Sequence, residues 1–330
     1  MYSIMQQSST LHWIISMIEA VQIVADIGGT NARFAFVRSN SDELSGIEIF
    51  PCSDFPFFID AIRAYMERGH VEYVDQICLA VAGPVTSDWI DLPNNHWSFS
   101  REELQDSLEA SVTIINDFSA QVLCINSLSE SELRWIGAAR PKGQQVKAVL
   151  GPGTGLGVSA MLPGGDILPS EAGHMAFAPN DDHQADLLKE LWQRYDRVSI
   201  ERVLSGMGLT NLHWANSRLD GYDRDLSAPG VTAGARAGDI YCQRAINDFY
   251  EILGSVAGDV ALIMGAADGV YLSGGILPRI LDLLDEGMLR QRFESKGRFT
   301  RICSQIPLAI VLAEHPGLRG CVAALRKKAQ

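Results

Sequence analysis

The stretch Val21 to Val37, VQIVADIGGTNARFAFV, constrains this chain more than any other. An apolar run ends in a carboxylate, a glycine pair with small polar residues follows, and a second apolar run begins. Val21, Ile23, Val24 and Ala25 suit a buried strand. Gly28-Gly29-Thr30-Asn31 suits a turn, because glycine reaches backbone conformations closed to other residues. The segment predicts a tight β-hairpin with Asp26 at the end of its first strand. Turn amides unshielded by side chains can approach an anion, so an aspartate beside bare backbone points to a metal-bound phosphate. An ordinary hairpin with a solvated Asp fits this one stretch equally well, and companion motifs must decide.

With 330 residues the chain is expected to form two domains sharing a cleft, since single cores stop growing near ~250 to 300 residues. The 27 Lys plus Arg against 40 Asp plus Glu leave a net charge of −13. That balance argues against nonspecific contact with nucleic acid or an anionic membrane surface, while leaving room for a local basic nucleotide pocket. Cys52, Cys78, Cys124, Cys242, Cys303 and Cys321 show no C-x-x-C or C-x-C spacing. They read as small core residues of a reduced, cytoplasmic protein rather than a disulfide or zinc framework. No apolar run approaches the ~18 residues needed to span a bilayer. Leu11 to Ile18 contains His12 and Trp13 and precedes Glu19, which predicts a short extra helix or an extension rather than a targeting segment. Met17 sits just before the hairpin, and Met1 to Ser16 are expected to be dispensable.

Along the chain, strands and helices alternate. Ile47 to Pro51 predicts a strand, Phe55 to Arg68 a helix through Phe58, Ile62 and Tyr65, and Gln76 to Ala82 a continuous apolar strand stopped by Gly83-Pro84. Trp89 to Trp97 is strand-like and ends in Pro93-Asn94-Asn95; the asparagines suit either a polyhydroxylated ligand or a turn. Ser100 and Glu103 predict a capping box for a helix over Arg101 to Glu109. Ser111 to Asn116 predicts the next strand, with Asp117 just past its end, where open α/β sheets bind ligands. Asp117 can accept a proton from a substrate hydroxyl or cap a helix from Phe118 to Asn126, and the cap is the bland reading.

Val146 to Leu150 runs into Gly151-Pro152-Gly153-Thr154-Gly155-Leu156-Gly157. Four alternate glycines cost conformational entropy and add no side-chain contacts, so a phosphate-binding turn explains them better than packing does. It lacks the Gly-Lys-Ser/Thr ending of a Walker A loop. With Val158 to Leu162 it forms a second strand-turn-strand element, which predicts a duplicated architecture clamping phosphates. In LPSEAGHMAFAP, from Leu168 to Pro179, Glu171 and His174 can bind a ligand by hydrogen bonds; a metal role lacks a third partner, and a structural histidine is the alternative. Asp186 to Tyr195 predicts a helix. Glu201, in SIERVLSGMGL, complements a helix dipole on its own showing. Gly221 to Gly230 reads as a surface loop, Thr232 to Gly238 as the start of a helical region, and Ala245 to Met264 as the central helix of a core. Gly269 to Ile276 predicts a strand delivering Gly274-Gly275 to a flat ligand such as a base or ribose. Lys296, Gly297 and Arg298 read as a solvated turn. Ile306 to Leu312 predicts a strand and His315-Pro316-Gly317-Leu318 leads into a last helix through Leu325.

Taken in order, ADIGGTNARFA, INDFSA, GPGTGLGV, SEAGH, ERVLSGMGL and GVYLSGGI closely resemble the motifs of the bacterial glucokinases, within the hexokinase, Hsp70 and actin superfamily. The resemblance runs from Val21 to Leu325 and omits Met1 to Ala20. It implies an α/β fold of two RNase H-like, actin-like ATPase domains flanking a cleft. The small domain would span 21–127 and be completed by the C-terminal helix at about 316–330; the large one would span 128–315. It implies ATP and Mg²⁺ as cofactors and transfer of a phosphoryl group to the 6-hydroxyl of glucose. By the same matching, Asp117 is the general base, and Asn94, Asn116, Asp117, Glu171, His174 and Glu201 bind the sugar. Gly28, Gly29, Thr30, Asn31, Gly153, Thr154 and Gly155 hold phosphates, Asp26 orients hydrated Mg²⁺ through water, and Gly274 and Gly275 lie along the adenosine.

Pro152 and Ala172 depart from relatives that carry alanine and glycine there, without removing a group the chemistry needs. With no cysteine between Cys124 and Cys242, the cysteine-rich zinc motif of ROK-type sugar kinases is not expected. Relatives of this kind are commonly homodimers. A broader hexokinase, or a kinase of another hexose, is the neighbouring alternative, and a non-catalytic sugar sensor on the same fold is the alternative of another class.

Overall fold

A computed structural model describes residues 21–83, 85–92 and 94–328. The expectations for Leu11 to Ile18 and Met1 to Ser16 fall outside the described residues. The chain divides into two compact units: unit 1 runs to Ser127 and takes back the segment from His315, and unit 2 is Leu128–Glu314.

Unit 1 is built on a five-stranded sheet of β1 (Val21–Ile27), β2 (Asn31–Arg38), β3 (Ser45–Pro51), β4 (Gln76–Val81) and β7 (Ser111–Asn116), in the order β3-β2-β1-β4-β7. A separate small hairpin joins β5 (Trp89–Asp91) to β6 (Ser98–Ser100). β1 to β3 are antiparallel, and β4 and β7 run parallel to β1. The continuous apolar run of β1 follows from its central place, because a strand covered on both faces has no solvent side to make polar. Ile23, Ala25 and Ile27 join one core with Phe34, Tyr65 and Trp97, whereas Val24 faces a second core with Leu318, Cys321, Val322 and Leu325 of the C-terminal helix Pro316–Lys328. That second face is why the last helix belongs to unit 1.

Helix α1 (Phe58–Arg68) starts later than the apolar spacing predicts, since Cys52–Asp54 forms a separate 3-10 turn before it. Helix α2 (Arg101–Leu108) is capped by Ser100, which accepts from the Glu103 amide. Asp88, rather than Glu103, completes the cap: its carboxylate takes the Ser100 hydroxyl at 2.6 Å and the Glu102 amide at 3.0 Å. Helix α3 (Asp117–Cys124) follows β7 directly.

Unit 2 carries a sheet ordered β11-β10-β9-β12-β13-β8, from β8 (Leu133–Trp135), β9 (Lys147–Pro152), β10 (Leu156–Met161), β11 (Ile167–Ser170), β12 (Val270–Leu272) and β13 (Leu308–Val311). Leaving out the edge strand β8, the order and directions repeat those of unit 1. The two glycine turns therefore occupy equivalent places. Its longer helices are α4 (Asp182–Leu191), α5 (Gly206–Leu219), α6 (Ala228–Arg236), α7 (Ile240–Met264) and α8 (Glu286–Glu294).

Several boundaries differ from the sequence expectation for one reason: a side-chain cap sets them, not the apolar period. Asp181 caps α4 at the Gln184 amide, so the helix begins at Asp182 and leaves Trp192 exposed past its end. Asp239 caps α7, which begins at Ile240, and Ser227 caps α6 inside the expected surface loop. Lys296 is not part of a solvated turn. Its side chain is 8% exposed and its ammonium pairs with Asp259 at 2.7 Å.

Candidate active site

In unit 1 the parallel strands end level. Ile27 is opposite Val81, and Val81 is opposite Asn116. The glycine turn after β1, Gly83 after β4 and Asp117 after β7 therefore emerge at one edge of the sheet, and the Asn116 amide donates to the Gly83 carbonyl at 3.4 Å. The turn Gly28–Asn31 is closed by the Gly28 amide on the Asn31 carbonyl at 3.0 Å. The Asn94–Asn95 loop packs directly on it: Asn95 Nδ2 donates to the Gly28 carbonyl at 3.2 Å, and a Cβ at Gly29 would lie 2.8 Å from the Asn94 carbonyl oxygen. Asn94 and Thr30 are both exposed.

Asn116, not Asp117, caps α3. Its Oδ1 accepts from the amides of Phe118 at 2.9 Å and Ser119 at 3.2 Å. This corrects the capping alternative for Asp117, which is instead the first residue of the helix, with Oδ1 accepting the Phe118 amide at 2.9 Å. A carboxylate in the first helical turn is favoured by the helix dipole.

Asp26 lies one residue before the end of β1, with Arg33 Nη1 at 3.5 Å across the hairpin. Burial pushes its pKa up, and the charges of Arg33 and His315 pull the other way. A Cβ on Gly317 would sit 2.7 Å from the carboxylate carbon, so the start of the C-terminal helix forms one wall of the Asp26 site.

In unit 2, Leu156 is paired with Pro152, and the Gly153 amide bonds the Gly155 carbonyl at 2.8 Å, leaving Thr154 exposed at the tip. Glu201 Oε2 accepts from the Leu156 amide at 3.0 Å and lies 2.4 Å from where a Cβ on Gly155 would be. The expected helix-dipole role for Glu201 is thus replaced by a direct hold on the glycine turn. Glu201 belongs to a 3-10 turn, Ile200–Arg202, which adjoins the Glu171–His174 segment through the Ile200 amide on the Met175 carbonyl at 2.8 Å. Arg197 adds a 2.7 Å bond to the His174 carbonyl. Glu171 and His174 bracket another 3-10 turn, Ala172–His174, and both are exposed.

The Gly206 amide at the start of α5 donates to the Gly153 carbonyl at 2.9 Å. Gly274 takes a φ of +100° and approaches so closely that a Cβ there would be 2.5 Å from the Pro152 carbonyl oxygen, a position only glycine fills. Gly275 is exposed, with open space around its missing Cβ.

Every candidate site residue named from the sequence thus falls into one of two groups, one in each unit. Asp26, Gly28, Gly29, Thr30, Asn31, Asn94, Asn116 and Asp117 form the unit 1 group. Gly153, Thr154, Gly155, Glu171, His174, Glu201, Gly274 and Gly275 form the unit 2 group. Sequence reasoning missed Arg33, Gly206 and Gly317, and it did not foresee that Asn95 would bond the Gly28 carbonyl. Asn95 had a visible signal as the neighbour of Asn94, and Gly317 had one as half of a Gly-x-x-Gly pair with Gly320.

Two α/β units that share a five-strand order, each presenting a glycine turn in its antiparallel hairpin (β1–β2 and β9–β10), define the actin-like ATPase class shared by sugar kinases. A family-wide profile described as Glucokinase matches residues 23–328. A glucokinase of Chromohalobacter salexigens is 41% identical over 311 residues, covering 93% of this chain and 98% of that protein. A crystal structure of a glucokinase from an Antarctic psychrotroph superposes with a TM-score of 0.83 at 34% identity, over 93% of this chain and 99% of that one. A ROK family glucokinase from Streptomyces griseus, solved with glucose and AMPPNP, shares the fold with a TM-score of 0.65 at 17% identity, over 93% of this chain and all of that one (100%). The chain belongs to the glucokinase family and is a hexose kinase. No helix among the described residues is long and apolar enough to cross a membrane.

Proposed function

We propose that this enzyme transfers the γ-phosphoryl group of ATP to the 6-hydroxyl of glucose, giving glucose 6-phosphate and ADP, with Asp117 as general base. The observation that carries the reading is the level ending of β1, β4 and β7, which sets the Asp117 carboxylate at the same sheet edge as the Gly28–Asn31 turn and the Asn94 loop. Phosphoryl transfer demands mainly positioning and charge stabilisation. In unit 1 the turn of Gly28, Gly29, Thr30 and Asn31 holds phosphate oxygens through the Gly29 and Thr30 amides and the Thr30 and Asn31 side chains, the Gly28 amide closing the turn; in unit 2 Thr154 and Gly155 do the same, the Gly153 amide closing theirs. Asn94, Asn116, Glu171, His174 and Glu201 supply hydrogen bonds to sugar hydroxyls, and Gly274 and Gly275 lie along the adenosine, Gly275 with open space where a side chain would be. Asp117 takes the proton of the attacking hydroxyl, assistance worth typically ~10² to 10⁴-fold. Capping by Asn116 keeps the start of α3, and hence Asp117, in place.

Mg²⁺ fits the Asp26 site. The donor is a hard carboxylate oxygen, and the nearby Arg33 guanidinium at 3.5 Å favours contact through water over direct ligation. Held there through water, the ion would supply positive charge against the phosphates. Glu201 serves two ends at once, since the carboxylate assigned to the sugar also fixes the phosphate turn through Leu156. The enzyme is further proposed to be cytoplasmic and, from its resemblance to dimeric relatives, a homodimer, which light scattering reads directly.

Coupled ADP-release assays across glucose, mannose, fructose and N-acetylated amino sugars, repeated with alternative phosphoryl donors, test the reading. Glucose with ATP should give the highest kcat/KM. A clear preference for another sugar moves the assignment to a broader hexokinase, and sugar binding without ADP release moves it to a sensor.

A further inference from the structure

The glycine turns leave unexplained a cluster inside unit 2. His213 lies in the middle of α5, fully buried, and neither ring nitrogen makes a well-formed hydrogen bond among the described residues, with the Arg224 backbone beside the ring as the one polar neighbour outside the cluster. A buried polar group without a partner is costly, so an imidazole with two such atoms asks for a ligand. Facing it are Asp239, the cap of α7, and Cys242 in the first turn of that helix. One ligand atom from each of the three residues lies within 4.8 Å of the others.

We propose that His213, Asp239 and Cys242 bind a single transition-metal ion of the zinc class. Nitrogen, oxygen and sulfur donors together select zinc, cobalt or a similar ion over Mg²⁺, which takes oxygen ligands. Four-coordinate zinc places its ligands at about 2.0 to 2.3 Å, so their mutual separations are roughly 3.5 Å, and modest side-chain adjustments within the cluster reach that geometry. Water completes the fourth position.

A neutral imidazole is the form that ligates, and burial, with the Arg224 charge nearby, lowers the His213 pKa. Burial and the neighbouring Asp239 push the Cys242 thiol up to about 11. On binding, the metal–sulfur bond replaces the S–H bond and the proton leaves to solvent, with no change of oxidation state. Thiolate and carboxylate then offset the dication, and the guanidinium of Arg224 on the same carboxylate leaves the cluster with one net positive charge. Asp239 is already engaged: Oδ1 takes the amides of Tyr241 and Cys242, and Oδ2 takes Arg224 at 2.8 Å. A carboxylate has about four lone-pair positions, which leaves one on Oδ2 for the ion. Partial exposure of Asp239 gives the ion a way in. The bound ion would tie α5 to the start of α7. It would also steady the helix whose first residue, Gly206, holds the Gly153 carbonyl.

The test titrates chelator-stripped, full-length protein with Co²⁺ alone and then displaces it with Zn²⁺. One equivalent should saturate intense visible bands of four-coordinate cobalt and a near-ultraviolet thiolate band, and Zn²⁺ should abolish both and raise the melting temperature by several degrees. Cys242→Ser should lose the thiolate band, and His213→Gln should weaken binding at least about tenfold, a lower bound set by what even outer-shell partners of metal ligands contribute. Wild-type circular dichroism is the control for both variants. No bands at stoichiometric cobalt, or a thiolate band that survives Cys242→Ser, overturns the site. Should either variant fail to fold, zinc X-ray absorption on the unmutated protein decides: one sulfur at about 2.3 Å with nitrogen and oxygen neighbours supports the site, and an all-oxygen shell or several sulfurs refutes it.

Discussion

Replacing Gly320 with alanine tests how the C-terminal helix positions the proposed base. A Cβ at Gly320 would lie 1.8 Å from the Ala120 carbonyl oxygen, 2.3 Å from its carbon and 2.7 Å from its Cα, all of them backbone atoms of α3. Because side-chain contacts begin near 3 Å, the two helices would have to separate by at least about 1.2 Å. Overpacking of this kind costs about 1 to 3 kcal/mol, and contact with backbone puts it at the upper end, while alanine's better helix propensity returns about 1 kcal/mol. A net loss of about 2 kcal/mol corresponds to a fall of roughly 4 to 8 °C in the melting of unit 1. The same displacement acts on Asp117, the first residue of α3. A shift of about 1 Å in catalytic geometry costs up to ~10²-fold, so kcat should fall about 10- to 100-fold with glucose affinity less affected. Thermal unfolding followed by tryptophan fluorescence, together with coupled ADP release, reads both. A Gly320→Ala protein that melts within a degree of wild type and keeps turnover within twofold would refute the coupling.

Asp117→Asn should still bind glucose in isothermal titration while losing most turnover, typically ~10² to 10⁴-fold, and near-normal turnover would remove Asp117 as base. Glu201→Ala deletes both a proposed sugar contact and the 3.0 Å hold on Leu156. Its KM should rise for ATP as well as for glucose; a rise for glucose alone would show that the turn keeps its shape without the carboxylate. His183, 3.0 Å from Asp248 and also facing Asp181 and Glu251, has its pKa raised chiefly by that hydrogen bond. A raised histidine pKa stabilises fully below the unfolded value of about 6.5, and the contribution is lost as pH climbs through the folded value. Denaturant unfolding should therefore show unit 2 losing stability from pH 6 toward pH 8. His183→Gln should flatten that slope, and an unchanged slope would assign it to other groups.

Local pattern carried far into this protein. The apolar runs of β1, β9 and β12, and the glycine turns after β1 and β9, are readable because strand burial and turn conformation depend on near neighbours. Helix starts were less legible. Asp181 and Asp239 begin α4 and α7 ahead of the apolar period, since one capping carboxylate outweighs where the hydrophobic face happens to start. Lys296 looked like part of a charged surface turn, and only the packing of its segment on α7 reveals the pair with Asp259.

The residues of the candidate site were named from their motifs, but their partners were not. Glu201 meets Leu156 across 45 residues of chain. Gly317 walls Asp26, and His213 meets Cys242 from a different helix. Such contacts are set by strand register and by how closely helices approach, quantities that depend on the whole core and leave no periodic trace in the chain. By itself the sequence determined the paired glycine turns, the alternation of strand and helix, and the position of Asp117 just past a strand. The tertiary structure alone decided that Asn116 would cap α3 in its place, that one glutamate would brace a glycine turn, and that a buried histidine would face a thiol.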